Sequence, residues 1–391
     1  MSGPHRSIPA PEALELRHLR ALAAVAEDLN FSRAAERLYL SQPALSRQIS
    51  ALERLVGCEL FRRSTRRVEL TAAGEALLEG TQRLLADLDA TVRRTRAIGG
   101  ELAARISRYW EPFSHLTVAD LDRVRDAIED VYAQLPEVPD MTMRPVNAGG
   151  VPALRLSTVP GQQATLLYLH GGGYISGSAY GFRGLAGAIA AAAGTAVVVP
   201  DYRLAPEHPY PAAVDDAERA YHWLRSTNPT HVLVAGDSSG AGLVMSLLVR
   251  LRDAGAPLPD GAALLCPWVD LTAAGQITEA ASPPPIRTVE GAAHAHALYL
   301  ANHSPEDPTV NPLRADLSGL PPLLVQAAVG DDHVRDAEAL VDRAQAHGVD
   351  ATLELHPATD AHPFQLFWSF LPEAADAVER LGAFVRQPTE A

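Results

Sequence analysis

Apolar residues recur at helical spacing at Leu16, Leu19, Leu22 and Val25, which predicts an amphipathic first helix. A second helix is predicted over 33–38, with Asn30 or Ser32 available as its cap. After a break at Tyr39-Leu40-Ser41, Leu45, Ile49, Leu52 and Leu55 trace the inner face of a third helix. It starts at Gln42, tolerates Pro43 in its first turn and stops at Gly57. Two helices joined by a tight break, the second with Gln42, Ser46, Arg47 and Gln48 outward, describe a helix-turn-helix. Segments 59–63 and 67–70 read as a small hairpin, a wing with a basic tip at 64–66. Thr71 then caps a long helix to about Ile98, whose stripe of Leu77, Leu84, Leu88 and Val92 predicts a dimerisation seam.

Beyond Gly99-Gly100 the pattern changes. One or two helices fit 101–135, for example 120–132, and paired strands fit 141–157 around a turn at Asn147-Ala148-Gly149-Gly150. Apolar strand runs follow at 164–170, 196–200, 231–235, 262–267, 322–328 and 351–356. Helical segments at 182–193, 212–226, 241–254, 335–347 and 372–386 separate most of them. Such alternation predicts a mostly parallel sheet with helices on both faces. The exception, 271–312, is longer and contains proline, and is expected to form a cap insertion over about 272–312.

Composition adds a boundary and a contrast. A chain of 391 residues has room for two domains, and 47% hydrophobic with 20% charged residues is ordinary for a folded protein. Cys58 and Cys266 offer neither a disulfide framework nor a metal cluster. The first residues lack the apolar core of a signal peptide, and no apolar run reaches membrane-spanning length, so a cytoplasmic protein with no membrane contact is expected. The net charge of -14 hides an asymmetry: residues 13–98 carry +3 and the remainder -17. That imbalance directs the search for a nucleic-acid module to the N-terminal part.

The chemistry gathers around Gly236-Asp237-Ser238-Ser239-Gly240, placed between an apolar strand and a helix. Gly-x-Ser-x-Gly in that setting is a nucleophile elbow, where a strained turn exposes the Ser238 hydroxyl at the mouth of a sheet. His170-Gly171-Gly172-Gly173-Tyr174 ends the first strong strand, and its bare amides suit the oxyanion of an acyl intermediate. No phosphate-loop pattern follows it. Acid and base should come later, in the order serine, acid, histidine. Asp332, after the 322–328 strand, and His362, after the 351–356 strand, occupy C-terminal strand ends, where ligands bind in open parallel sheets.

Two resemblances sharpen these expectations. Residues 14–98 resemble the DNA-binding domain and linker helix of LysR-type transcriptional regulators, through Phe31-Ser32-Arg33-Ala34-Ala35-Glu36-Arg37-Leu38, Ser41-Gln42-Pro43-Ala44-Leu45-Ser46-Arg47-Gln48-Ile49 and Leu70-Thr71-Ala72-Ala73-Gly74. The resemblance implies that Gln42, Pro43, Ser46 and Arg47 face the major groove of double-stranded DNA, and that Arg66 reaches phosphate or the minor groove. Residues 100–390 resemble the hormone-sensitive-lipase group of α/β-hydrolases through the glycine loop, Asp201-Tyr202-Arg203-Leu204-Ala205-Pro206-Glu207-His208-Pro209-Tyr210-Pro211-Ala212, the elbow and Leu317-Ser318-Gly319-Leu320-Pro321-Pro322. The implied oxyanion donors are the amides of Gly172, Gly173 and Ser239, with Gly171 a further candidate. That group's acid loop usually reads Asp-Pro-Leu; here it reads Asp332-His333-Val334, which leaves Asp331 as a rival acid. His333 is read as an exposed loop residue, and Asp237 and Glu207 as hydrogen-bonding supports.

The expected organisation is an all-α winged helix-turn-helix head over 13–72, a linker and dimerisation helix over 73–98, and an α/β-hydrolase domain over 100–391. The expected function is cleavage of small acyl esters by a homodimer without metal or cofactor. The alternative is a regulator whose hydrolase fold senses an acyl or ester-like ligand with little turnover.

Overall fold

The computed structural model describes residues 14–63, 68–98, 101–113, 116, 120–227, 231–272, 289–357 and 361–387. It divides into two compact units, Met1–Arg93 and Arg94–Ala391, and the division falls inside the long fourth helix.

In the first unit, α1 (Leu16–Asp28), α2 (Phe31–Arg37) and α3 (Gln42–Val56) close around Leu22, Val25, Leu45, Ile49 and Leu52, all buried. Asn30, not Ser32, is the cap of α2: its side-chain oxygen accepts from the Ser32 and Arg33 amides at 2.9 and 3.1 Å. The helix therefore starts two residues earlier than its apolar period suggested. Gly57, at φ +77°, ends α3 as expected. Strands β1 (Phe61–Arg63) and β2 (Val68–Leu70) pair antiparallel, so the all-α head carries a two-stranded wing. The Glu53 carboxylate on α3 accepts the Leu60 amide at 3.0 Å and ties the wing to the helices. Thr71 caps α4 (Ala72–Ile98) by accepting the Gly74 amide at 3.0 Å. Leu84 is 58% exposed on that helix, while Arg66, at the wing tip, and the side chain of Val92 lie outside the described residues.

The second unit begins with α5 (Glu101–Trp110), a short 3-10 turn and α6 (Leu121–Ala133). The hairpin of β3 (Thr142–Ala148) and β4 (Val151–Ser157) leads into β5 (Ala164–Leu169), α7 (Arg183–Ala193), β6 (Ala196–Pro200) and α8 (Ala212–Thr227). Then come β7 (Leu233–Asp237), α9 (Ser239–Asp253), β8 (Ala262–Leu265), α10 (Val289–Leu300), β9 (Leu323–Ala328), α11 (Val334–Ala346), β10 (Ala351–His356) and α12 (Pro372–Arg386). The eight strands lie in the order β10-β9-β8-β7-β5-β6-β4-β3, parallel except where β4 meets β3 and β6. Side chains alternate across the sheet with period two. Leu167 and Leu169 of β5 join the core beneath α8, α9 and α11, and Leu166 and Tyr168 join the core beneath α7 and α12. With both faces covered, the central strands are apolar throughout and their C-terminal ends open together along one edge. Of the expected cap insertion, residues 273–288 lie outside the described residues, and α10 forms its later part.

Candidate active site and groove-facing helix

The elbow is built by main-chain geometry. Ser238 sits at φ 52° and ψ -122°, a strained conformation for a residue with a side chain, between the end of β7 and the start of α9. Its amide donates to the Leu265 carbonyl at 2.8 Å, and its own carbonyl accepts the Trp268 amide at 3.0 Å. A Cβ on Gly240 would run into the Leu169 and His170 carbonyl oxygens, and one on Gly236 would meet the Gly240 oxygen at 2.6 Å. Both glycines are therefore required by the close approach of strand and helix.

Three side chains meet above the sheet edge. The Ser238 hydroxyl donates to His362 Nε2 at 2.7 Å, and His362 Nδ1 donates to Asp331 Oδ2 at 2.9 Å. The acid on the histidine is thus Asp331, the rival position, and not Asp332. The cause lies in the turn after β9: the Asp331 amide donates back to the Ala328 carbonyl at 3.0 Å, and the His333 amide donates to Asp331 Oδ1 at 2.7 Å. The turn so formed gives Asp331 to His362, while Asp332, 2% exposed, lines the cavity in front of Ser238. Burial alone would raise the Asp331 pKa, but the adjacent His362, aided by His333, outweighs it and holds the carboxyl well below its ordinary range.

Asp237 supports the opposite side. It is fully buried, and its Oδ1 accepts the Tyr168 hydroxyl at 2.7 Å and the Gly171 amide at 2.9 Å. Desolvation pushes its pKa up to about 7, against the opposing pull of the Tyr168 hydrogen bond. Gly171 is consequently engaged in holding the loop. Gly172 and Gly173, at φ +122° and +65°, have amides with no acceptor among the described residues. Ser239 opens α9, where the first amides of a helix have no intrahelical acceptor. These three amides can serve a developing oxyanion beside Ser238.

The cavity holds about 80 Å³. Trp110, Phe113, Ile128 and Tyr132, from the segment containing α5 and α6, form one part of its lining, and Ala292 and Ala295 of α10 another. The contribution of the first segment was not foreseen from sequence. Arg125 of α6 explains how that segment is fixed: it donates to the Ile175 carbonyl at 2.7 Å and the Ala205 carbonyl at 2.9 Å, and pairs with both oxygens of Glu207 at 2.8 Å. The Arg125 hydrogen bond draws the Glu207 pKa down to about 2, so Glu207 is a support rather than an acid. His333 is also placed differently from its expected exposed position. It is 9% exposed, stacks on Trp268 at 5.3 Å and lies 5.0 Å from the His362 ring, because the same turn that presents Asp331 folds it inward. Cys266, Asp331 and His362 bring potential metal ligands within 4.8 Å of one another. Asp331 and His362 are already bonded to each other, and burial pushes the Cys266 thiol up, so the trio reads as a proton relay with a packed thiol.

The central part of this unit, residues 166–366, matches the family model described as alpha/beta hydrolase fold. The chain belongs to the α/β-hydrolase fold family. Residues 16–75 match a second family model, that of bacterial regulatory helix-turn-helix proteins of the lysR family, so this hydrolase carries a lysR-type segment at its N-terminal end. It is 43% identical over 231 residues to an acetyl-hydrolase of Streptomyces hygroscopicus, covering 58% of this chain and 76% of the relative. It is 38% identical to the putative acetyl-hydrolase LipR of Mycobacterium tuberculosis, covering 62% and 79%. A crystal structure of an esterase from the bacterial hormone-sensitive lipase (HSL) family superposes with a TM-score of 0.68 at 39% identity, over 72% of this chain and 96% of that one.

In the first unit, Gln42, Pro43 and Arg47 are exposed and Ser46 is half-buried at the start of α3. The Ser41 hydroxyl caps the helix by accepting the Ala44 amide. Residues on those first turns stand where a groove-reading helix presents its side chains. Among the described residues no helix is long and apolar enough to cross a membrane.

Proposed function

We propose that this hydrolase cleaves carboxylic esters of short acyl groups through a covalent acyl-serine, and that its N-terminal unit binds double-stranded DNA as a homodimer. The observation that carries the first half is the continuous chain Ser238 Oγ, His362 and Asp331 beside the free amides of Gly172, Gly173 and Ser239. Ser238 Oγ attacks the ester carbonyl while His362 Nε2 takes its proton, and Asp331 stabilises the imidazolium. The carbonyl oxygen gathers negative charge against the three amides. His362 then returns the proton to the departing alcohol oxygen as the C–O bond breaks. A water, deprotonated by the same nitrogen, attacks the acyl-serine to release the acid and restore the hydroxyl. The small cavity favours short acyl groups, and the relatives named acetyl-hydrolase and esterase support the same reading.

A second reading, that ligand occupancy governs DNA binding, draws its support from the presence of a lysR-type segment on the same chain. Replacing Ser238 by Ala tests the first. Hydrolysis of p-nitrophenyl butyrate should vanish while DNA binding by gel shift persists; undiminished hydrolysis would overturn the assignment of the nucleophile.

A further inference from the structure

The substrate cavity has an unusual charge for a pocket so rich in rings. Asp332, left out of the relay by the turn after β9, lines it while only 2% exposed. Trp110, Phe113, Tyr132 and Trp268 line the same small space. Neither arginine nor lysine lines it among the described residues. A carboxylate in an apolar wall is costly unless a partner compensates it, and a ligand can be that partner. Aromatic faces attract cations through the ring quadrupole, and they do so most strongly where water is excluded. The wider field has the same sign, since the chain outside residues 13–98 carries -17. A negative body concentrates cationic ligands and repels anionic esters.

We propose that the preferred substrates are esters whose alcohol carries an amine, quaternary or protonated, with the cation held between the Asp332 carboxylate and the aromatic rings. This rests on the esterase reading of the same site and names its substrate class. It also gives the acid pair a division of labour: Asp331 serves the histidine and Asp332 reads the ligand. Neutral esters of the same shape fill the volume but leave the carboxylate without its counter-charge, and anionic esters add repulsion.

The test uses the full chain and an isosteric pair, choline and 3,3-dimethylbutan-1-ol, which differ in charge but hardly in shape. Binding is read from tryptophan fluorescence, since Trp110 and Trp268 line the cavity. Choline should bind about tenfold more tightly than the neutral alcohol, and high salt should shrink that ratio. Asp332→Asn should bring the two affinities within about twofold of each other by removing the charge term. Asp332→Glu should recover part of the preference, which separates loss of charge from loss of folding. Equal or tighter binding of the neutral alcohol, or a choline preference that survives Asp332→Asn, overturns the proposal. Acetylcholine and 3,3-dimethylbutyl acetate are then compared as substrates. If choline is preferred but neither acetate is hydrolysed, the esterase reading fails and the cation site stands. If both acetates turn over with equal kcat/KM and choline shows no preference, the cation site fails and the esterase stands.

Discussion

At the scale of single residues, the adjacent carboxylates offer the sharpest test. Asp331 receives the His362 Nδ1 hydrogen bond, and its replacement by Asn should lower kcat for p-nitrophenyl butyrate by about three to four orders of magnitude. Asp332→Asn should cost at most about tenfold in kcat for the same uncharged ester, because Asp332 makes no bond to His362. Equal losses in the two variants would mean that the relay is not built as described. Sequence could narrow the acid to two neighbours and no further, because the choice depends on which side chain the turn after β9 directs toward His362. The same turn hid the inward placement of His333. Asp237 supplies a prediction of a different kind. Its folded pKa, about 7, lies above the ordinary aspartate value near 4. Its contribution to stability is therefore fully present below about pH 4 and is lost as pH rises through about 7. Asp237→Asn keeps an oxygen to accept from Tyr168 and Gly171 but cannot ionise. Its melting temperature should fall less than that of the parent between those pH values. Parallel melting curves across that range would count against a raised Asp237 pKa.

At the scale of elements, strands were easier to read than surroundings. Strand β6 and helix α12 lie where their apolar runs and flanking Pro residues placed them, because burial on both faces leaves a continuous apolar signature. Strand β7 runs two residues beyond its expected end, since Gly236 and Asp237 still pair with β8 although neither looks like strand. Helices α5 and α6 have clear amphipathic periods, yet periodicity states only that a face is covered, not what covers it. Their place in the cavity became visible through Arg125, a contact spanning 82 residues to Glu207. Arg125→Ala removes donors from two carbonyl oxygens and an ion pair whose carboxylate is half-exposed. It should destabilise the body by about 1–3 kcal/mol, chiefly through the carbonyls left without a donor. KM for p-nitrophenyl butyrate should rise more than kcat falls, as measured by steady-state kinetics. A variant with the parent's melting temperature and KM would show that α6 is held by apolar packing alone.

At the scale of the whole molecule, two compact units share one chain, with the division inside α4. The second unit holds every residue of the proposed relay, so a protein of residues 94–391 should hydrolyse p-nitrophenyl butyrate with kcat/KM within about threefold of the full chain. In the first unit, Arg47→Ala should weaken specific operator binding by about 1–3 kcal/mol in a footprint titration and leave hydrolysis unchanged. Unaltered binding would make α3 something other than a base-reading helix. The nucleophile is held by its own amide and carbonyl, through Leu265 and Trp268, and not by its hydroxyl. Erasing reactivity therefore need not erase the chamber: Ser238→Ala should behave as an intact but silent receptor. Saturating that silent form with an ester, and watching an operator for any response, would separate a message carried by occupancy from one carried by turnover.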